Sequence, residues 1–247
     1  MIERLPEMAD LLAAHGASRS APQLDDRERL VQACLDLDHR EANRLSLAHP
    51  DYLREPRPMF EAARRDRPDA LSLLLELGAP LEAQDDTAKR PLHEAAANNA
   101  LAAARLLVER GAEIDPREAI YKGTPIGWAS HGDRRDMVLF LSRYSADMWT
   151  LTFNGCVDRL RELVEEQPER ARVVADSGTT LLFWLPDDEA TAMQTVELLL
   201  AAGADASARD KEGQTAADWA RRRGMDDVAE RLDAARHGER PTTNDPD

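Results

Sequence analysis

Few side chains in this sequence stand where they could do chemistry together. His93-Glu94 could open the HExxH helix of a zinc protease, in which two His one turn apart hold the metal and the Glu serves as base. The second ligand position is Ala97, so the motif fails. Ser130 and His131 pair a nucleophile with a base, but helical neighbours point apart. No G-x-S-x-G turn is present to lift the Ser. Asp187-Asp188-Glu189 could attract a cation, yet no further ligands lie nearby, and charge runs are usually solvated. A phosphate-cradling Walker loop, G-x-G-x-x-G and CxxC are all absent. The residues thus offer no catalytic group, no metal site and no cofactor site, and an enzyme is the least expected class.

The elements around these residues are more informative. Asp85 to Asp115 reads DDTAKRPLHEAAANNALAAARLLVERGAEID. A polar turn leads to Pro91, which suits the first turn of a helix because its missing N–H would be unpaired there. An Ala-rich helix breaks at Asn98-Asn99, and a second helix closes at Gly111-Ala112, where Gly supplies a left-handed terminator. Each helix is too short to be stable alone and must stack on neighbours. This stretch resembles one ankyrin repeat, whose signature is T-P-L-H-x-A, with Arg90 in the place of Thr. The resemblance implies that His93 fixes the turn by hydrogen bonding.

The same unit recurs along the chain. Pro58 to Pro91 and Gly78 to Gly111 are both intervals of 33, and Pro91 to Pro125 is 34. Gly127 replaces the motif His in the unit at 123–146, and Ser145-Ala146 replaces Gly-Ala. Residues 27–50 form an earlier helix pair ending at His49-Pro50, and residues 5–17 look like the second helix of a half-repeat. After Ala146 the intervening hairpin is missing, so Asp133 and Gly155 occupy equivalent turns only 22 apart. A helix ending at Pro168, a long loop over 169–178 and a weak opening TTLLFWLP follow. An acidic insertion at Asp187–Glu189 precedes the next second helix, and a strong last unit begins at Asp210. The expected fold is all-α: an ankyrin-repeat solenoid of stacked helix-turn-helix units, about seven repeats plus an N-terminal half-repeat. One array is expected over 1–236, with a disordered tail over 237–247.

Composition narrows the function. Net charge is −15 and only 4% of residues are aromatic. A general nucleic-acid binder needs a basic face, so that class is disfavoured. No apolar run approaches membrane-spanning length, and the N-terminus lacks signal-peptide character. Two cysteines point to a reduced, cytoplasmic setting. By register Cys34 is buried and Cys156 sits near a turn, four repeats away, too far for a disulfide. Lys is rare beside Arg, with Lys89, Lys122 and Lys211 the only ones, a coding bias that points to a GC-rich bacterial genome.

What remains is a surface. The resemblance implies that partners meet the hairpin tips and first-helix ends along the concave side. By register that surface carries Arg64, Arg65, Tyr121, Trp128, His131, Phe153, Asp187 and Asp188, and Tyr, Trp and Arg are the types that carry binding energy at interfaces. Against this stands the plainer reading in which Trp128 fills space between repeats and Arg64-Arg65 is a solvated helix end. The expected function is a non-enzymatic, monomeric interaction module or scaffold that binds a partner protein. The alternative is a regulatory or inhibitory, immunity-type subunit of an enzyme with a basic surface, which the acidic balance would suit. A spacer without a partner is a third class.

Overall fold

The computed structural model describes residues 24–238. The half-repeat expected at 5–17 and all but the first two residues of the expected tail lie outside the described residues. Within them the chain forms thirteen α-helices, three short 3-10 helices and one isolated antiparallel bridge, Val174 with Thr180.

The helices come in pairs. The first four are α1 and α2 (Asp26–Leu35, His39–Ala48), α3 and α4 (Pro56–Arg64, Pro68–Glu76), α5 and α6 (Pro91–Ala97, Leu101–Glu109), and α7 and α8 (Pro125–His131, Arg135–Leu141). Then follow α9 and α10 (Met148–Phe153, Val157–Glu166), a 3-10 turn with α11 (Leu181–Phe183, Glu189–Ala201), and α12 with α13 (Ala216–Arg222, Asp226–Arg236). Consecutive pairs stack on one continuous core of Leu, Ala, Val and Met, including the fully buried Leu45, Leu71, Leu107, Leu141 and Leu160. Small residues let the helices approach closely: Ala62, Ala95, Ala96 and Ala129 are all buried on the first helices. The array is a helix-turn-helix repeat solenoid, all-α as expected.

Within a pair the chain reverses through a left-handed residue. Leu37 (φ 58°), Asp66 (53°), Asn99 (56°) and Asp133 (54°) occupy this turn in the first four pairs. Such φ values are uncommon outside Gly, with Asn and Asp most tolerant, so Leu37 is held there by its surroundings. Asp66 also caps the next repeat, its carboxylate accepting from the Ala103 amide at 2.8 Å, where α6 has no side-chain cap of its own.

Several boundaries differ from the sequence reading. Helix α3 starts at Pro56, two residues before the expected Pro58, because a 3-10 turn at Pro50–Leu53 shortens the junction. The loop expected over 169–178 begins instead as a 3-10 helix, Pro168–Arg172. The TTLLFWLP opening makes only a three-residue 3-10 turn. The acidic stretch expected as a loop is a helix start: Asp188 is the N-cap of α11, accepting from the Thr191 amide at 2.9 Å, and Glu189 is its first residue. An anion there suits the positive end of the helix dipole.

After Ala146 the hairpin is missing, as its spacing implied. The polar work of a finger passes to two carboxylates. Asp115 accepts from the Ser145 hydroxyl at 2.6 Å and from the Ala146 amide at 2.7 Å, closing the end of α8. Asp147 caps α9 and accepts from the Thr124 hydroxyl at 2.7 Å, tying it to the preceding repeat.

Candidate functional site

One face of the array carries the first helices and the fingers between pairs. Four fingers have tight tips, at 85–90, 118–124, 175–180 and 210–215. In the first and last, an Asp five residues before the N-cap accepts from two tip amides: Asp85 from Thr87 and Lys89, Asp210 from Glu212 and Gln214. The second finger is one residue longer. There Glu118 replaces Asp and accepts from Ile120 (2.7 Å), Tyr121 (2.7 Å) and Gly123 (3.0 Å). The extra methylene spans the enlarged turn, which explains the interval of 34 between Pro91 and Pro125. Burial acts to raise the Glu118 carboxyl, but the amide donors outweigh it and hold it below the ordinary value. Ile120 and Tyr121 are thereby fixed outward, 63% and 77% exposed. The third finger has Ala175 at the acidic position, and the Ser177 and Thr179 hydroxyls pair at 2.8 Å instead.

His93 links α5 to the second finger. Its Nδ1 accepts from the Arg90 amide at 3.1 Å and its Nε2 lies 3.2 Å from the Gly123 carbonyl, so the neutral ring with the proton on Nε2 satisfies both. Burial, helped by the Lys89 charge, outweighs the Gly123 and Pro116 carbonyls and holds its pKa below 6.5. A group whose folded pKa is depressed contributes stability that is complete above the unfolded value and lost as pH falls toward the folded one. Unfolding free energy from urea titrations should therefore be flat above pH 6.5 and begin to decline below it, before the depressed carboxylates such as Glu118 add their own loss below 4.5, and His93→Gln should remove the upper part of that decline. An undiminished decline in the variant would assign it to other groups.

The four tryptophans, with Tyr121, Phe153 and Phe183, collect on the same face. Trp128, Trp184 and Trp219 each stand four residues after a Thr N-cap, namely Thr124, Thr180 and Thr215. The remaining tryptophan, Trp149, meets Trp184 edge-on with ring centres 6.4 Å apart. Tyr121 meets Trp128 edge-on at 6.4 Å, and Phe183 meets Trp219 at 6.1 Å. The Lys89 ammonium lies 4.5 Å from the Trp128 ring centre, and Arg222 covers Trp219 at 5.1 Å. Gly123 lets Trp128 lie close to the finger, since a Cβ there would come within 3.0 Å of the indole nitrogen.

Where the finger after α8 is missing, this face opens into a groove of about 620 Å³. Arg117 and Lys122 stand at one side and Ala175 at the other. Its floor includes Gly127, Ser130 and Thr150, with Trp149, Trp184, His131 and Phe153 around it. Tyr121, Trp128 and His131 line a smaller recess beside it.

The structure thus brings Tyr121, Trp128, His131 and Phe153 together, with His131 shared by both recesses. Trp128 is only partly buried. Phe153, 47% exposed, also borders an adjoining groove that contains Asp187 and Asp188. Asp187 pairs with Arg223 at 2.7 Å, and Asp188 caps α11. Arg64 and Arg65 lie apart from the grooves. Both pair with Glu61, and Arg64 reaches the buried Glu94, which Lys89 also contacts at 2.7 Å. Sequence reasoning passed over Trp149, Trp184, Trp219, Arg117 and Lys122. The recurring Thr-x-x-x-Trp was the available signal for two of them.

Elsewhere, Cys34 is buried, and that burial pushes its thiol up to about 11. Among the described residues no helix is long and apolar enough to cross a membrane, and no group of three His, Cys, Asp or Glu is placed to hold a metal ion.

The ankyrin-repeat family profile, described as ankyrin repeats in three copies, matches residues 25–118 and 59–152, together more than half of the chain. A crystal structure of an ankyrin repeat domain from Acinetobacter baumannii AYE is similar at TM-score 0.56 and 25% identity, over 74% of this chain and 98% of that one. No curated protein matches the chain.

Proposed function

This chain belongs to the ankyrin-repeat family, and from that premise we propose that it is a non-catalytic interaction module, acting as a monomeric scaffold that binds a segment of a partner protein along its concave face. Ankyrin repeats are generally protein–protein interaction modules. The observation that carries the reading is the arrangement of the aromatic residues. All four tryptophans, with Tyr121 and Phe153, sit on the finger and first-helix face, and none of the six is fully buried. Large aromatic side chains left in water on one face forgo burial that a partner can supply, and Trp and Tyr dominate interface energetics. Tyr121, Trp128, His131 and Phe153 are its proposed centre. Arg64 and Arg65 flank it toward the N-terminal repeats, and Asp187 and Asp188 toward the C-terminal ones. The free thiols of Cys34 and Cys156 accord with a reducing, cytoplasmic setting.

Affinity capture from the native host, comparing the wild type with Tyr121→Ala/Phe153→Ala, tests the assignment. Both side chains are exposed, so the variant should fold, with unchanged circular dichroism. Loss of about 2 kcal/mol or more of binding free energy is expected for hot-spot residues. Capture at unchanged affinity would remove this face from the account.

A further inference from the structure

The charge of the groove differs from that of the chain around it. The chain carries a net charge of −15, yet the groove opened by the missing finger has Arg117 and Lys122 at its rim. Asp147 is its one lining carboxylate; it is buried, accepts from the Thr124 and Thr150 hydroxyls and lies 3.8 Å from the Arg117 guanidinium, a long ion pair that leaves the Arg117 side chain half exposed. Lys122 is exposed at a finger tip, held in a left-handed conformation (φ 56°), and Arg117 is fixed beside it by donating to the Lys122 carbonyl at 2.8 Å. The cations therefore face outward from a rigid turn whose amides Glu118 organises. Between them and the third finger the lining combines Trp149, Trp184 and Phe153 with His131 and the Ser130 and Thr150 hydroxyls, and Trp149 meets Trp184 edge-on.

Resting on the proposed use of this face for partner binding, we infer that the occupant is an extended acidic segment of a protein that seats an apolar side chain against Trp149 and Trp184 and sets a carboxylate against Lys122 and Arg117. Charge complementarity selects this occupant. A basic segment would meet two cations at the rim; a nucleic acid, charged at every residue, would meet the acidic array wherever it left the groove, whereas a protein segment need carry its carboxylate only opposite Lys122 and Arg117. The sign is opposite to the one total charge alone suggests, because the surplus carboxylates lie outside this groove.

The four tryptophans make the test direct, since all lie on this face and report it by emission. The titrants are synthetic peptides of about 12 residues with the same Phe and Leu positions and either Glu or Lys between them, and a single-stranded oligothymidylate of matching length. The acidic peptide is expected to shift the emission saturably and to bind about tenfold tighter than the basic one, with affinity falling as salt rises. Arg117→Gln/Lys122→Asn, with Asn chosen for its tolerance of the left-handed turn, should abolish that preference and leave the fold intact by circular dichroism. Equal or tighter binding of the basic peptide, or of the oligonucleotide, would overturn the inference, as would an acidic preference that survives the double variant. If the native partner needs Tyr121 and Phe153 while the acidic peptide shows no preference, the inference alone falls. If the acidic peptide binds Tyr121→Ala/Phe153→Ala as tightly as wild type, the site assignment falls with it.

Discussion

Leu151→Ala is expected to lower the unfolding free energy by about 2–5 kcal/mol, the range for emptying a well-packed Leu site. Leu151 is fully buried in α9, a helix of only six residues. That helix has no finger on its N-terminal side, so it depends more than its neighbours on side-chain packing and on the Asp147 cap. A repeat array is held together by contacts between adjacent units, and weakening one interface uncouples the two sides. Urea denaturation followed by circular dichroism and by tryptophan emission should therefore change from coincident to separated transitions. Coincident curves with a shift below about 1 kcal/mol would show that α9 is not the weak link. Because α9 also forms the floor of the aromatic groove, partner binding should weaken in the same variant.

Glu118→Ala is the second large effect. Its carboxylate holds three amides of the longest finger tip, and hydrogen bonds to a charged group contribute about 1.5–3 kcal/mol each before losses to rehydration. The tip is partly exposed, so the freed amides can bind water and the net cost should be about 2–3 kcal/mol, local to the finger. Hydrogen exchange at Ile120 to Gly123 should accelerate while the helices α5 to α8 stay protected. Tyr121 and Lys122 would lose their fixed placement, and binding should fall about as far as when Tyr121 itself is removed. Glu118→Asp should not rescue the tip, because the shorter side chain cannot span a turn one residue longer. Glu118→Asp combined with deletion of Ile120 should restore it, by recreating the geometry of Asp85 and Asp210. Rescue by Asp without the deletion would refute the proposed match between side-chain length and turn length.

The regular part of this architecture was legible in the sequence because each signal has a local cause. Pro91 and Pro125 start helices, Gly78 and Gly111 end them, and their spacing set the period. The left-handed turn at Leu37 carries no signal in its residue type, since Leu is held in that conformation only by its neighbours. The missing finger after Ala146 was legible as a short interval, but its replacement by Asp115 and Asp147 was not, since both act across repeats. At Asp187–Glu189 a run of charge resembled a loop, although Asp188 with Thr191 is a helix cap whose two residues stand three apart. The aromatic face was half visible. Tyr121, Trp128 and Phe153 followed from register, whereas Trp184 lies in an irregular opening whose only helix is the three-residue 3-10 turn after Thr180. Net charge was silent on placement: it sums every carboxylate, and only the fold brings Arg117 and Lys122 to one side of the groove.

The central claim is that a partner protein is bound on the finger and first-helix face. Site-directed photo-crosslinking in the native host tests it most directly, with a benzophenone side chain placed at Tyr121, at Phe153 or at the exposed Glu165 on α10. The account predicts covalent adducts with one partner from Tyr121 and Phe153 and none from Glu165. Adducts from Glu165, with none from the other two positions, would contradict it.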